Sequence, residues 1–270
     1  MAKSKGSAIS KVLIIVIAVI LLFLLIAEFG LRWFIGNRLK AQFADQVAEQ
    51  GVTVEEEPSI SFGPTPLLLG IARNSIGEVT VNTPETLSIT YPGGAGQTPE
   101  ILGTPQATVT LKGLNISDTE NPTARSMDIT TFATDDFILA TVQREMSTQM
   151  GGGESTDFAQ QLLQELIQIT DVTSDPAAGA VEVEFTGGAA GLTLRPTVDN
   201  GQVSFEVLES QLFGIGLPEE VSAALTEGLQ SSVDQVAGGL QVAGIEVLDN
   251  GLKIDLTGQN INVRTLEPAA

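Results

Sequence analysis

The adjacent carboxylates Asp135 and Asp136 are the side chains most directly suited to acid–base or metal chemistry. Neighbouring residues on a helix point in different directions, so the two carboxylates would not converge on one substrate or ion. Thr134 is a good helix N-cap, and carboxylates in a first helical turn are stabilised by the helix dipole. We therefore interpret the pair as the start of a helix that runs to about Met150, not as a catalytic site.

Other motifs give equally little support for catalysis. The chain has no histidine and no cysteine, which excludes imidazole ligands, thiolate nucleophiles and disulfides. Two Asp-Asn-Gly triplets, at 199–201 and 249–251, lack the spacing of a calcium loop and are typical of hairpin turns. Glycines 151–153 follow a predicted helix and lack the lysine of a phosphate loop. We predict a protein that is not an enzyme and has no metal site and no cofactor.

Three groups of large apolar residues occur in segments that would normally face water. One group follows the Gly63-Pro64 turn, one begins the helix after Thr134, and one precedes a predicted helix at Pro218. Two interpretations are open: these groups fold inward and complete one core, or they line an apolar groove for an acyl chain. The candidate acyl-chain contacts are Leu67, Leu68, Leu69, Ile71, Phe137, Ile138, Leu212, Phe213, Ile215 and Leu217.

Charge divides the chain into two parts. Residues 1–40 carry six basic side chains and one acidic, a net of +5. Residues 41–270 carry seven basic and 32 acidic side chains, a net of −25. Such an acidic domain repels nucleic acid and is not drawn electrostatically to anionic lipid. We therefore expect no nucleic-acid partner.

An unbroken run of 16 apolar residues extends from Val12 to Ala27, after three lysines. Extended to Ile9 and Leu31, the segment is long enough to span the ~30 Å hydrocarbon core of a bilayer. The competing interpretation is a cleaved signal peptide, whose apolar region is usually shorter and is followed by a small-residue cleavage site. We predict a single-pass signal anchor in the cell membrane, with the lysines in the cytoplasm and the acidic bulk outside.

Beyond the anchor, residue patterns predict an α+β domain. Apolar residues recur every four positions from Leu31 to Val47, as in an amphipathic helix, and alternating segments that predict strands fill much of the chain. Long helices are predicted after Thr134, after Ser155 or Thr156, and over 218–237, and the strands pair mainly antiparallel. The predicted boundaries are a cytoplasmic basic stub at 1–8, the transmembrane anchor at 9–31, the extracytoplasmic domain at 32–266 with a flexible insertion at 146–157, and a tail at 267–270.

Several segments together resemble one family, and their order carries the resemblance. They are "ISFGPTPLLLGIARNSIGEVTV", "TTFATDDFILATVQREM", "VEVEFTGGAAGLTLRPTVDNGQVSF" and "GIEVLDNGLKIDLTGQNINV". In this order they are similar to elements of the LmeA-like phospholipid-binding family of actinobacterial envelope proteins, over about residues 35–265. The resemblance implies a twisted, mainly antiparallel sheet wrapped around long helices, as in tubular lipid-binding proteins.

The resemblance also implies a function. It indicates an extracytoplasmic, membrane-associated binder, or carrier, of phospholipid or glycolipid that supports cell-envelope lipid assembly. In the leucine-rich turn it makes Leu67–Leu69 and Ile71 acyl-chain contacts and leaves two interpretations for Arg73. Arg73 contacts a lipid phosphate, or it pairs with a neighbouring glutamate on the surface. The alternative function is a ligand-free structural protein of the envelope that holds a partner protein at the membrane.

Overall fold

The computed structural model describes residues 6–49, 56–94, 98–151, 168–212 and 240–263. Within these residues there are three helices: α1 (Gly6–Glu49), α2 (Leu67–Ala72) and α3 (Asp135–Gly151). The strands are β1 (Ser59–Phe62), β2 (Ser75–Thr83), β3 (Ser88–Thr90), β4 (Glu100–Leu102), β5 (Ala107–Asn115), β6 (Thr123–Thr134), β7 (Ile169–Asp175), β8 (Ala180–Phe185), β9 (Ala190–Asp199), β10 (Gln202–Leu212), β11 (Gln241–Leu248) and β12 (Gly251–Asn262).

Helix α1 joins the predicted anchor to the amphipathic helix without a break. The predicted apolar stripe is largely confirmed, because Leu31, Ile35 and Phe43 are partly buried and Val47 is buried, whereas Leu39 is exposed. Lys40 Nζ lies 3.0 Å from Glu57 Oε2, just before β1, so the second half of α1 runs beside this edge strand. The contact places α1 next to β1, which is the edge strand of its sheet.

The strands form two larger sheets and one small one, with antiparallel pairing throughout the described residues. The six-stranded sheet has the order β1-β2-β5-β6-β12-β11, the four-stranded sheet has the order β10-β9-β8-β7, and β3 pairs with β4. The predicted α+β class with antiparallel strands is thus confirmed. The prediction that the sheet wraps around long helices is untested, because residues 152–167 and 213–239 lie outside the described residues.

The hydrophobic core lies between the two larger sheets. One cluster joins α3 to the four-stranded sheet around Leu192 and Leu194, and reaches β12 at Leu252. A second cluster surrounds the fully buried Val203 and includes Leu111 and Leu256 of the six-stranded sheet. Phe205, Ile245 and Ile254 touch both clusters, so the two form one continuous core.

Both predicted Asp-Asn-Gly turns close hairpins. Asn200 and Gly201 have φ of 51° and 81°, the left-handed conformation that a tight two-residue hairpin needs, and they connect β9 to β10. In the second hairpin Leu248 pairs with Gly251, so the loop consists of Asp249 and Asn250, one residue earlier than predicted. Gly251 opens β12 at a φ of 147°, where an added Cβ would collide with the Ala133 carbonyl.

Three further predictions need a correction or a limit. The leucine-rich segment after Gly63-Pro64 is the helix α2, not an irregular turn. Ile169, which the apolar pattern assigns to the helix predicted after Ser155 or Thr156, instead opens β7. Residues 146–151, the first part of the predicted insertion, belong to α3, while the rest of that insertion and the predicted helices after Ser155 and over 218–237 lie outside the described residues.

Candidate functional site

The short helix α2 is held by a carboxylate from the end of the predicted membrane anchor. Glu28 Oε1 accepts the backbone N–H of Leu67 at 2.6 Å, and Oε2 accepts that of Leu68 at 3.0 Å. These two N–H groups open the helix and have no partner within it, and a carboxylate is the anion that such a helix end favours. Glu28 therefore caps α2 from 39 residues away in sequence.

Arg32 completes the connection between α1 and α2. Its Nε donates to Glu28 Oε1 at 2.7 Å. Its two terminal nitrogens donate to the backbone carbonyls of Phe62, Gly63 and Thr65, each at 3.1 Å. We call Glu28, Arg32 and the backbone they bind between Phe62 and Leu68 the α1–α2 joint. The joint fixes the position of the β1–α2 connection relative to the predicted anchor.

Helix α2 divides the predicted leucine-rich contacts into buried and exposed residues. Leu67 is 1% exposed, and Gly70 packs so closely on the Ser75 carbonyl that a Cβ there would lie 2.8 Å from the oxygen. Leu68 is partly buried. Leu69 and Ile71 are 42% and 40% exposed. Leu67 therefore belongs to the protein interior, while Leu69 and Ile71 form an apolar surface.

Arg73 lies immediately after α2 and is exposed. Its backbone N–H bonds to the carbonyls of Leu69 and Gly70 and ends the helix. Among the residues that the structure describes, its guanidinium forms no salt bridge, so the predicted surface ion pair with a glutamate is absent there. The side chain is a cation next to two exposed apolar residues.

The six-stranded sheet presents one apolar face and one polar face. Cross-strand pairing places Phe62 opposite Val79 and Ile60 opposite Val81, and Val81 in turn lies opposite Val109. Val79 is buried, but Ile60, Phe62, Val81 and Val109 are only partly buried. We call these four residues the partly exposed apolar face. Because Phe62 begins the connection to α2, this face is continuous with the α1–α2 joint.

The opposite face of the sheet is a network of hydroxyls, amides and charges. Thr108 donates to Asn82 at 2.8 Å, Thr130 to Asp255 at 2.5 Å and Thr257 to Asp128 at 3.0 Å. An open cleft of about 490 Å³ lies at one end of this face, lined by residues that include Glu56, Glu57, Ser59 and Lys253. The lining also includes Pro84, Ala107, Phe132 and Leu248, so its walls are mixed, and the charged groups among them make the burial of an acyl chain there costly.

Lys253 carries the positive charge of this cleft. Asp255 and then Glu246 raise the pKa of Lys253 above its ordinary value, because both stabilise the ammonium form. Its Nζ lies 3.5 Å from the Asp255 carboxylate and 3.4 Å from the Glu246 carboxylate. The lysine is therefore charged and already neutralised by its neighbours, which leaves little net attraction for an anion.

The predicted contacts on α3 do not lie beside those on α2. Helix α2 packs at the start of β2, whereas α3 follows the end of β6, and cross-strand pairing puts these points at opposite ends of the six-stranded sheet. The 12-residue strand β6 alone spans roughly 40 Å. Ile138 packs against the core cluster of the four-stranded sheet, and Phe137 is partly buried.

The two carboxylates at the start of α3 lie in a capped helix end and do not form a catalytic pair. Thr134 Oγ1 accepts the Phe137 N–H at 3.3 Å, which confirms the predicted N-cap. Asp135 binds the backbone N–H of Ser174 at 3.1 Å and its hydroxyl at 2.6 Å. Asp136 is exposed near Tyr91, whose pKa is raised by burial and further by this negative charge. Asp135 therefore fastens α3 to β7.

The third predicted group of contacts is largely untested. The backbone of Leu212 ends β10 and pairs with Ala190. Phe213, Ile215 and Leu217 lie outside the described residues. Within the described part of the chain, no group of three acidic, histidine or cysteine residues is arranged to hold a metal ion.

Sequence reasoning missed the α1–α2 joint and the partly exposed apolar face. A signal for the joint was present: Glu28 and Arg32 stand four residues apart, the spacing of a helical ion pair, directly after the apolar run. A signal for the face was the alternation in "SISF", "EVTVN" and "ATVTL". Neither signal shows which backbone groups the ion pair binds or how much of the face is covered.

Comparison with known protein families identifies the family to which the chain belongs. The model of the LmeA-like phospholipid-binding family matches residues 26–257. The chain belongs to this family, as the order of its motifs indicates. The match begins two residues before Glu28, so the matched region includes the α1–α2 joint. No curated protein and no solved structure matches the chain.

Among the described residues, α1 is the helix that is long and apolar enough to cross a membrane, by length and composition. A signal sequence near the N-terminus passes the same criterion. The interpretation of α1 therefore depends on its contacts with the rest of the chain.

Proposed function

We propose that the protein is a membrane-anchored, extracytoplasmic binder of phospholipid or glycolipid, and that it holds acyl chains on the partly exposed apolar face. The observation that carries the proposal is this face itself, in a chain that belongs to a phospholipid-binding family. Ile60, Phe62, Val81 and Val109 stand on three adjacent strands and are incompletely covered. The cleft on the other side of the sheet carries Glu56, Glu57 and Lys253, and these charges make it the less favourable place for an acyl chain.

The apolar face can supply useful affinity without a charged site. Burial of one methylene is worth about 0.8 kcal/mol, so ten methylenes of an acyl chain contribute roughly 8 kcal/mol before the cost of ordering. A net of that size would correspond to a dissociation constant of about 1 μM. Acyl-chain burial would thus supply most of the affinity in a domain whose net negative charge disfavours an anionic headgroup.

Arg73 is the proposed headgroup contact. An exposed guanidinium binds a phosphate through charge-assisted, bidentate hydrogen bonds. Arg73 follows Leu69 and Ile71 immediately after α2, so it would be near a lipid phosphate if the attached chains lay along α2 and the apolar face.

The contacts of Glu28 and Arg32 support an anchor that is retained. Removal of a signal sequence that included them would leave the opening N–H groups of α2 and three backbone carbonyls without these partners. We therefore propose a single-pass protein with its N-terminus in the cytoplasm. A carrier role in the assembly of cell-envelope lipids is part of the same proposal, because a tethered binder can pass lipid to a nearby acceptor.

Lipid analysis of matched variants tests the function. The full chain is purified in detergent, and its lipids are extracted and quantified by mass spectrometry. Lipids that surround α1 would co-purify with any variant, so the informative comparison is Phe62→Asp against Ser61→Asp. Ser61 is the adjacent residue, exposed on the polar face of the same strand. We expect bound lipid to fall in Phe62→Asp and to remain in Ser61→Asp.

A second variant guards against simple unfolding of Phe62→Asp. Val81→Phe adds apolar volume to the same face without adding charge, and should reduce bound lipid while circular dichroism is unchanged. Equal lipid content in Phe62→Asp, Val81→Phe and Ser61→Asp would contradict the proposal. A wild-type domain that neither carries nor takes up lipid would leave the ligand-free scaffold as the better account.

A further inference from the structure

The described surface has two exposed apolar residues at the depth where the predicted membrane anchor ends. Glu28 is the first polar residue after the apolar run, and lies three residues, or about 4.5 Å along the helix, before the predicted end of the span at Leu31. Its carboxylate binds the first N–H groups of α2. With α1 as the membrane anchor proposed above, the N-terminus of α2 lies at the boundary between hydrocarbon and headgroups.

The whole of α2 stays close to that boundary. A helix of six residues is about 9 Å long, so Leu69 and Ile71 cannot lie far from the level of Glu28. Their side chains are 42% and 40% exposed, although Leu67 and Gly70 of the same helix are buried. The exposed surface is apolar where a bilayer would lie next to it.

Neighbouring residues on α1 have the character of a membrane interface. Phe29, Trp33 and Phe34 are 69%, 68% and 55% exposed. Aromatic residues are enriched at the level of the lipid headgroups, where an apolar ring and a polar edge are both accommodated. Helix α2 itself carries no acidic residue, so no carboxylate on it opposes contact with a bilayer at the same level.

We infer that α2 is a bilayer-docking element, in which Leu69 and Ile71 enter the boundary of the hydrocarbon and Arg73 binds lipid phosphates. The α1–α2 joint sets the depth of α2, because Glu28 and Arg32 connect it to the span through five hydrogen bonds to backbone groups. Arg73 extends the docking surface with a cation suited to the phosphate layer. The rest of the domain, at a net of about −25 beyond residue 40, is repelled by anionic lipid and faces away.

The inference rests on the proposed membrane anchor together with the joint and α2. It also gives the proposed lipid binder a route by which lipid enters. Phe62 contributes its carbonyl to Arg32 and its side chain to the partly exposed apolar face. A lipid that leaves the bilayer beside α2 would therefore meet the apolar face directly. The proposed function explains where the lipid is held, and the docking of α2 explains where it enters.

Fluorescence depth measurement on the full chain tests the docking. The chain has no cysteine, so Leu69→Cys carries a single environment-sensitive nitrobenzoxadiazole label. The control is Leu208→Cys on β10, because Leu208 is 39% exposed and matches Leu69 in type and accessibility. Both proteins are reconstituted in phosphatidylcholine–phosphatidylglycerol vesicles that contain lipid with a nitroxide high on the acyl chain. We expect emission at shorter wavelength and several-fold stronger quenching at Leu69 than at Leu208.

Two further variants in the labelled Leu69→Cys protein separate the possible failures. Arg32→Ala should reduce the quenching towards the Leu208 value, because the joint no longer holds α2 at the membrane. Phe62→Asp should leave the quenching intact while bound lipid is lost, which would separate docking from lipid binding. Water-like emission and equal quenching at Leu69 and Leu208 would overturn the inference. Strong quenching that persists in Arg32→Ala would overturn the role of the joint.

Discussion

The two ends of the six-stranded sheet each carry a short apolar group beside a helix start, and they use it in opposite ways. At one end, α3 is capped by its own Thr134, and Ile138 packs into the core while Asp135 binds Ser174. At the other end, α2 is capped by Glu28 from a distant helix and leaves Leu69 and Ile71 exposed. The apolar residues of a helix are thus buried where the helix packs on the core, and remain exposed where the helix is held by an element outside the core.

The largest expected effect lies within α2, between its buried and exposed leucines. Leu67→Ala should lower the free energy of unfolding by about 2–5 kcal/mol, because it removes a buried side chain and leaves a cavity. Leu69→Ala should change it by no more than about 0.5 kcal/mol, as expected for a surface substitution. Urea denaturation of both variants, followed by circular dichroism in the same detergent, measures the difference. Similar losses in the two variants would show that α2 is an ordinary core helix.

A smaller effect is expected from the paired carboxylates that open α3. Asp135→Ala should destabilise the protein by about 1–3 kcal/mol, because the buried Ser174 loses the acceptor of both its N–H and its hydroxyl. Asp136→Ala is the matched control, since Asp136 is exposed, and should stay within about 0.5 kcal/mol of the wild type. The same denaturation curves distinguish the two variants, and a reversed order would contradict the structural role of Asp135.

The smallest expected effect is an electrostatic change in the pKa of Tyr91, which lies near the start of α3. Burial is the first cause that raises the pKa of Tyr91, and the negative charge of Asp136 is the second. Asp136→Asn should therefore lower the pKa of Tyr91 while leaving it above its ordinary value, because the phenolate no longer meets the carboxylate but is still desolvated. The chain has one tyrosine, so phenolate absorbance during an alkaline titration reports on this group alone. An unchanged titration would place Asp136 away from Tyr91.

Local chemistry was enough to predict much of the fold. Thr134, Asp135 and Asp136 indicated the start of α3, and Asn200-Gly201 indicated a hairpin, because each signal acts between residues that are close in the chain. The alternation of apolar and polar residues indicated antiparallel strands for the same reason. The apolar run at 12–27 indicated a helix by its length and composition alone, without information on tertiary contacts.

The arrangement at the candidate site could not be predicted in the same way. The chemistry of "LLLGI" and "FIL" is alike, yet Leu69 is exposed and Ile138 packs in the core. That difference depends on Glu28, which stands 39 residues before Leu67, and on the pairing of β1 with β2. Contacts at such separations follow from the whole topology and leave no local pattern in the sequence.

Photo-crosslinking tests the central claim most directly. A phospholipid with a diazirine on its acyl chain is incorporated with the full protein in vesicles, and the crosslinked peptides are mapped by mass spectrometry. The account predicts labels within Ser59–Phe62, Ser75–Thr83 and Ala107–Asn115, which carry the partly exposed apolar face, in addition to those on α1. These labels should disappear in Phe62→Asp and remain in Ser61→Asp. Labels confined to α1, or located in the polar cleft around Lys253, would contradict the claim that the apolar face binds lipid.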